Sequence, residues 1–442
     1  MRISEISVTG LFNLFNHRIM MKLKDKITII HGPNGYGKTA ILQIISDIFN
    51  GRYFYLRKYP FSAISIKFDD NSELTISQAK LKNSKKGMDA KSLTFEFRSP
   101  DGNQDSYTYN PLARDIRPDF PLHSFEDIIP GLIRVSSELW MDRRTGEKLT
   151  LPDVIDRYGE ELPISKTSML RESSTPEWLK KLRSKIFVHF IDTRRLYSSR
   201  NTNTKLREPL EPSVVEYSKE IASVIQKKLA DYANLSQKLD STFPIRLVDQ
   251  RASAMLSAEE LEKKLSELEA QRQRYVEVGI LDKERDFNLP LTKDIDESKL
   301  AVLSVYVDDV QQKLNVLDEL ASKIEIFKGI INEQFRYKKL IIEKQEGFHF
   351  LCDSNAPLLP DSLSSGEQHE VVLLYQLLFK VPPNSLILID EPEISLHIAW
   401  QERFLADLTK ITSLSGFDVL LATHSPEIIN DRWDLTVQLE GP

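Results

Sequence analysis

Along the first fifty residues the apolar positions change rhythm twice. Met20 to Leu23 and Lys26 to Ile30 read as short strands, and after a glycine-rich stretch Ile41, Leu42, Ile45 and Ile48 share one helical face. That helix is expected from Lys38 to about Phe49. Strict alternation follows in SAISIKF, ELTIS and SLTFEFR, broken by Asp-Asp-Asn-Ser, Asn-Ser-Lys-Lys-Gly and Pro-Asp-Gly-Asn, which reads as an antiparallel β lobe from Ala63 to Tyr109. Residues 110–180 hold prolines and no period that assigns an element. KIFVHFI, Lys185 to Ile191, is the near-continuous apolar run of a buried strand.

Beyond a polar stretch from Ser198 to Glu211 the period becomes helical. Val214, Tyr217, Ile221, Ile225, Tyr232, Leu235 and Leu239 hold helical spacing. Leu261, Leu265, Leu268 and Tyr275 form a seam that Arg272 interrupts, whereas Leu303, Val307, Val310, Leu314, Leu317, Ala321 and Ile324 form an unbroken one. Such a seam needs a helical partner. An antiparallel partner through Gly279 to Ser298 is expected, either as a projecting coiled-coil hairpin or within a compact bundle. The last hundred residues return to α/β: a hairpin around Gly347 within Tyr337 to Leu351, a helix, the strand Leu386 to Ile389, another helix, and the strand Val419 to Leu421. The expected organisation is an N-terminal lobe over 1–200, a helical insertion over 201–335 and a C-terminal lobe over 336–442.

Composition narrows the class. With 41% hydrophobic and 28% charged residues the chain can bury a core, and a net charge of −6 gives no overall basic excess to advertise nucleic acid. The single cysteine, Cys352, cannot form an internal disulfide, which fits a reducing compartment. No apolar run reaches the ~18–20 residues that span a bilayer. The opening MRISEISVTG has no apolar secretion core. A cytoplasmic protein without a membrane partner is expected.

Four stretches carry chemistry. GPNGYGKT, Gly32 to Thr39, has the spacing G-x-x-x-x-G-K-[ST] between a strand and a helix. Gly32, Gly35 and Gly37 let successive N–H groups turn toward an anion, and Pro33, Asn34, Tyr36 and Ala40 complete the loop. The helix start adds its positive dipole end, Lys38 reaches the β- and γ-phosphates, and Thr39 offers a hydroxyl to Mg²⁺. SLILIDEPEISLH, Ser385 to His397, ends an apolar strand on two carboxylates, at the sheet edge where open α/β folds bind ligands. Asp390 is expected in the Mg²⁺ shell and Glu391 beside the attacking water; alone, the same letters also describe an acidic turn before a helix.

LSSGEQHE, Leu363 to Glu370, opens an apolar helix whose Ser364, Ser365 and Gly366 offer donors to an anion. With Glu367 it is equally an ordinary capping box. LLATHSPEII, Leu420 to Ile429, delivers His424 from a strand end, where it either touches a γ-phosphate or serves the fold.

In this order, the Walker A loop, the LSSGE signature, the strand ending in DEPE with SLH close behind, and the THSP histidine resemble an ABC-type ATPase head. More narrowly they are similar to the RecF/SMC/OLD-like branch, whose members carry helical insertions. The resemblance implies an α/β P-loop head, with a mixed sheet plus antiparallel β lobe, and an inserted helical or coiled-coil domain. It implies that Gly35, Gly37, Lys38 and Thr39 hold ATP and Mg²⁺. It implies that Ser364, Gly366 and Glu367 meet the γ-phosphate held by the other subunit, that Ser395 to His397 form the D-loop, and that His424 is the switch histidine. The family's Q-loop glutamine is missing; in FIDTRRL, Phe190 to Leu196, Arg194 stands near its place, and Arg194 or Arg195 serves either phosphate or a structural ion pair. Phe12, Asn13 and Phe15 either touch adenine or pack in the core. RYFYLRKYPF, Arg52 to Phe61, offers either a single-strand platform or a half-buried β edge, and LKNSKKG, Leu81 to Gly87, reads as a solvated turn.

The expected activity is hydrolysis of ATP to ADP and phosphate by a homodimer or higher homo-oligomer closed around nucleotide, with Glu391 and His424 as catalytic residues. The chain resembles the ATPase subunits of the PARIS and Septu anti-phage systems, which implies a separate effector protein, a nuclease or toxin, as its partner. OLD nucleases carry a Toprim domain after the head, and none is expected here. A RecF/SMC-like DNA-repair ATPase that binds nucleic acid, and a non-hydrolysing ATP-dependent scaffold, are the alternatives.

Overall fold

The computed structural model describes residues 1–53, 55–80, 91–109, 175–191, 212–249, 256–283 and 297–441, with short pieces between 125 and 158. Two compact units emerge: Met1–Arg194, Ser199–Leu210 and Val381–Pro442 form the first, and Arg195–Ser198 and Glu211–Lys380 the second. The signature stretch thus falls in the same unit as the helices, although the sequence reading divides the chain near residue 336.

Among the described residues the first unit holds three sheets, two of them large. The strands β1 (Ile3–Leu11), β2 (Phe15–Met20), β4 (Ala63–Phe68), β5 (Glu73–Lys80), β6 (Lys91–Arg98) and β7 (Gln104–Tyr109) make an antiparallel sheet in the order β2-β1-β4-β5-β6-β7. The second sheet has the order β11-β15-β16-β3-β17, from β3 (Ile27–His31), β11 (Val188–Ile191), β15 (Leu386–Asp390), β16 (Asp418–Thr423) and β17 (Thr436–Gln438), and every pairing is parallel. The helix α1 (Lys38–Phe49) is buried on nearly all sides. It has to be, because its isoleucines share one core cluster with Ile6, Ile64, Ile76 and Phe95 of the first sheet and Leu388 and Leu420 of the second. A small sheet of β8 (Leu132–Ser136), β9 (Leu139–Asp142) and β10 (Lys148–Thr150) occupies the stretch the sequence left unassigned, with Trp140 fully buried against Phe125. A short helix α2 (Glu177–Lys185) precedes β11.

Two local readings are corrected. The strand expected at Met20 to Leu23 lies earlier, at Phe15–Met20, because Phe15, His17 and Ile19 are the inward side chains and Met20 faces out. Among the described residues from Arg52 to Phe61 there is no strand: Tyr55–Lys58 is a single 3-10 turn, and the Tyr53 and Phe61 rings are buried, which withdraws those two from a single-strand platform. The readings at Arg194, Arg195 and the Leu81 to Gly87 run lie outside the described residues.

Among the described residues the second unit holds three long helices, α3 (Ser213–Asp249), α4 (Ala258–Glu277) and α5 (Glu297–Gln334). At 38 residues α5 is ~57 Å long. Its seam is buried at Val307, Leu314, Leu317, Ala321 and Ile324. The expected antiparallel partner across Gly279 to Ser298 is not α4. Lys264 meets Asp308 and Arg274 meets Asp318 and Glu325, so α4 and α5 run in the same direction. The antiparallel partner is α3, where Arg246 pairs with Asp309 and Asp240 with Lys313. Seam periodicity sets which face is buried, and it carries no information on direction. A hairpin of β12 (Lys338–Glu343) and β13 (Gly347–Cys352) extends to β14 (Pro357–Leu358). The helix α6 (Ser365–Tyr375) packs on α3 through stacked rings of Tyr375 and Tyr217, 4.5 Å apart. Among the described residues no helix is long and apolar enough to cross a membrane.

Candidate functional site

The site starts at the end of β3, whose apolar residues are buried and whose last residue, His31, opens the glycine loop. Gly37 caps α1 with φ 88°, a left-handed conformation, and a Cβ there would lie 2.6 Å from Leu11 Cδ2. Only glycine fits without displacement. From the β1–β2 side, His17 Nε2 donates to the Tyr36 carbonyl at 2.9 Å, and Phe15 stacks on the His17 ring and lies tilted against the Tyr36 ring. Burial lowers the His17 pKa, so the ring is neutral at neutral pH. Phe15 is therefore a core residue, while Phe12 and Asn13 form the left-handed turn between β1 and β2.

Lys38, the first residue of α1, is buried. Its ammonium donates to the carbonyls of Gly32 at 2.7 Å and Pro33 at 3.2 Å, and to His424 Nδ1 at 3.3 Å. Burial lowers its pKa, against the charges of Glu391, Asp390 and Glu393. Because His424 Nδ1 accepts from Lys38, the ring proton belongs on Nε2, which faces Glu391 Oε1 at 3.5 Å. Thr39 Oγ1 donates to Asp390 Oδ1 at 3.1 Å. Asp390 ends the fully buried β15, and Glu391 turns the corner after it with φ 42°. A cavity of about 280 Å³ opens here between His31, Pro33, His424 and Trp433. It lies at the C-terminal ends of β3 and β16, the ligand-binding edge of a parallel sheet.

The structure thus gathers Gly32–Ala40, Asp390, Glu391 and His424 in the first unit, though Lys38 and His424 are 386 positions apart. Ser364–Glu367 belong to the second unit and form a complete capping box at the start of α6. Lys338 donates to both Glu367 oxygens, at 2.7 and 2.8 Å. Burial pushes Glu367 up, but the bonds from Lys338 and Ser364 outweigh it and hold the carboxyl below its ordinary value. The helix α7 (Ile398–Ser415) is capped by His397, whose Nδ1 accepts from Ala399 N–H at 3.3 Å. The sequence reading missed His17, Lys338 and Glu393. Glu393 lies inside the DEPE stretch, Asp390 to Glu393, whereas no local pattern marks a buried histidine in a strand or a lysine placed opposite a distant cap.

A strand, a glycine loop and a helix start, facing a buried strand that ends in carboxylates, define a P-loop ATPase of the α/β class with a helical insertion. The chain belongs to the family of AAA ATPase domains, whose model matches residues 1–429. No curated protein matches it. Similar solved structures include the SMC head domain of Pyrococcus furiosus with an extended coiled coil, bound to the C-terminal domain of ScpA (14% identity, 100% of this chain and 94% of that chain, TM-score 0.34). The SMC head domain of Thermotoga maritima is another (12% identity, 97% and 91%, TM-score 0.29). Likeness at this level assigns no function.

Proposed function

We propose that the chain hydrolyses ATP, closes as a homodimer around nucleotide, and uses that closure to control a separate effector protein in anti-phage defence. The observation that supports hydrolysis is the contact chain Lys38–His424–Glu391 beside the Thr39–Asp390 pair. Lys38 and the N-terminus of α1 supply positive charge for a triphosphate. Glu391 orients the attacking water, and His424 Nε2–H is a donor for the γ-phosphate. A hydroxyl and a buried carboxylate 3.1 Å apart fit Mg²⁺, which takes hard oxygen donors and keeps waters and phosphate oxygens as its other ligands. Thr39 and Asp390 would hold it, and when bound it neutralises phosphate charge. Among the described residues no group of three or more His, Cys, Asp or Glu is gathered for a metal.

In the proposed dimer, Ser364, Ser365, Gly366 and Glu367 of one chain meet the nucleotide on the other. The capping box, with Lys338 paired to Glu367, fixes the start of α6, whose Ser365 and Gly366 N–H groups and positive helix end are what the γ-phosphate would meet. The effector reading is supported by the motif resemblance to PARIS and Septu ATPase subunits. It is supported too by long helices whose exposed charges, such as Lys263 and Glu267, leave a polar face for docking. In the test, Lys38→Ala is compared with wild type by calorimetry with ATP and by phosphate release, and the wild-type chain is co-expressed with the product of its neighbouring gene. Loss of ATP binding in the variant and an ATP-responsive complex in the wild type are expected. Equal ATP binding by both chains refutes the site. ATP-dependent binding to DNA ends by the chain alone, with no protein complex, moves the function to repair, and effector control retained by Lys38→Ala makes ATP a structural ligand.

A further inference from the structure

Glu393 lies close enough to the loop for its charge to act on Lys38, and its own carboxylate is held by the turn that bears His424. Pro392–Ser395 forms a single 3-10 turn directly after the left-handed corner at Glu391. The turn carries Glu393 across to the end of β16. There its Oε1 accepts from Thr423 Oγ1 at 2.8 Å, from His424 N–H at 2.7 Å and from Ser425 N–H at 3.2 Å. Two consecutive backbone N–H groups converging on one oxygen make an anion nest, filled here by the protein's own carboxylate. The other oxygen, Oε2, is buried without a hydrogen-bond partner. Such a half-satisfied carboxylate costs free energy, so packing alone does not account for it.

Gln401 closes the arrangement. Its side-chain amide donates to the Leu396 carbonyl at 3.0 Å and the Glu393 carbonyl at 3.4 Å, and its oxygen accepts from Ser425 Oγ at 2.7 Å. The turn after β15 and the turn bearing His424 are therefore one hydrogen-bonded block. His424 itself is exposed, so its ring depends on the backbone beneath it for its aim.

We propose that Glu393 is the positioning residue of His424. It fixes the Thr423–Ser425 backbone so that one imidazole nitrogen faces Lys38 and the other faces Glu391. The inference rests on the hydrolysis reading and deepens it. A displacement of ~1 Å in a catalytic group lowers turnover about 100-fold, with little effect on ground-state binding.

Steady-state ATPase kinetics of the full chain test this with Glu393→Ala, Glu393→Asp, Glu393→Gln, His424→Ala and the double variant Glu393→Ala/His424→Ala. Imidazole ¹⁵N shifts of His424 report its tautomer independently of turnover. Expected are a kcat about 100-fold lower in Glu393→Ala with KM for ATP within about twofold, and a double variant no slower than the slower single one. Glu393→Asp, which keeps the charge but draws it back by one methylene, behaves like Glu393→Ala and replaces it if that variant does not fold. Glu393→Gln, whose amide oxygen still accepts, recovers most of the rate. The Nε2–H tautomer weakens in Glu393→Ala and Glu393→Asp only. Unchanged kcat, a rise in KM alone, or losses that multiply in the double variant overturn the proposal. A wild type without turnover refutes hydrolysis instead, and the tautomer then decides: identical His424 shifts in wild type, Glu393→Ala and Glu393→Asp overturn positioning.

Discussion

Replacing Gly37 by alanine should be far more damaging than replacing Gly35, although both carry left-handed backbone at φ 88° and 87°. The backbone cost is shared, ~1–2 kcal/mol for an L-residue in that region. The steric cost is not. At Gly35 an added Cβ meets nothing within 4 Å, whereas at Gly37 it lies 2.6 Å from Leu11 Cδ2. Leu11 is fully buried, so its side-chain tip can shift only against core neighbours, and overpacking of this kind costs ~1–3 kcal/mol. Gly37→Ala is therefore expected to lose ~2–5 kcal/mol against ~1–2 kcal/mol for Gly35→Ala. Urea unfolding followed by tryptophan fluorescence isolates the relevant unit, because Trp140, Trp178, Trp400 and Trp433 all belong to the one containing the loop. Leu11→Val should partly rescue Gly37→Ala and leave Gly35→Ala unimproved. Equal losses at the two glycines, or no coupling to Leu11, would show that the contact between β1 and the loop carries no energy.

Two further outcomes follow from side chains nearby. Glu391→Gln keeps the shape of the corner and loses the carboxylate, so it should bind ATP normally, turn over at least ~100-fold more slowly and accumulate as a nucleotide-bound dimer in size-exclusion runs; a wild-type rate assigns the water to another residue. Asp47, buried beside Arg52 near the end of α1, is pushed up by burial from 3.8 to about 6. A carboxyl raised on folding stabilises below its unfolded value and loses that stability as pH rises through its folded value. Wild type should therefore lose on the order of 3 kcal/mol relative to Asp47→Asn between pH 4 and 7, and a pH-independent difference between the two melts contradicts this.

The loop and the strand that faces it were legible because their signals are local: Gly32 to Thr39 and Ser385 to Asp390 each carry their own strand, turn and spacing. The helices were legible from Val214 to Leu239 and Leu303 to Ile324 for the same reason. What failed depends on partners. Phe15–Met20 hides its alternation behind a buried histidine, whose neutral ring packs between Phe15 and the loop. The direction of α4 beside α5 is written in ion pairs such as Lys264–Asp308, between residues that look like ordinary surface charges in the sequence. The signature could not be separated from a capping box because at Ser364 and Glu367 it is one. Donation of Lys38 to His424 across 386 positions is a property of strand order alone.

Strand order also dictates when the nucleotide loop can exist during synthesis. In the parallel sheet β3 is flanked by β16 and β17, and Asp418 and Thr436 emerge from the ribosome long after His31. At ~5–20 residues per second the Walker A strand waits roughly 20–80 seconds with both hydrogen-bonding edges open. The antiparallel lobe and the helical unit have all their own strands and helices available earlier, so they can fold while β3 remains unpaired. An open strand as apolar as Ile27–Ile30 is a template for wrong pairing. The nascent chain is therefore most exposed to wrong pairing at this strand in the interval before β16 and β17 arrive.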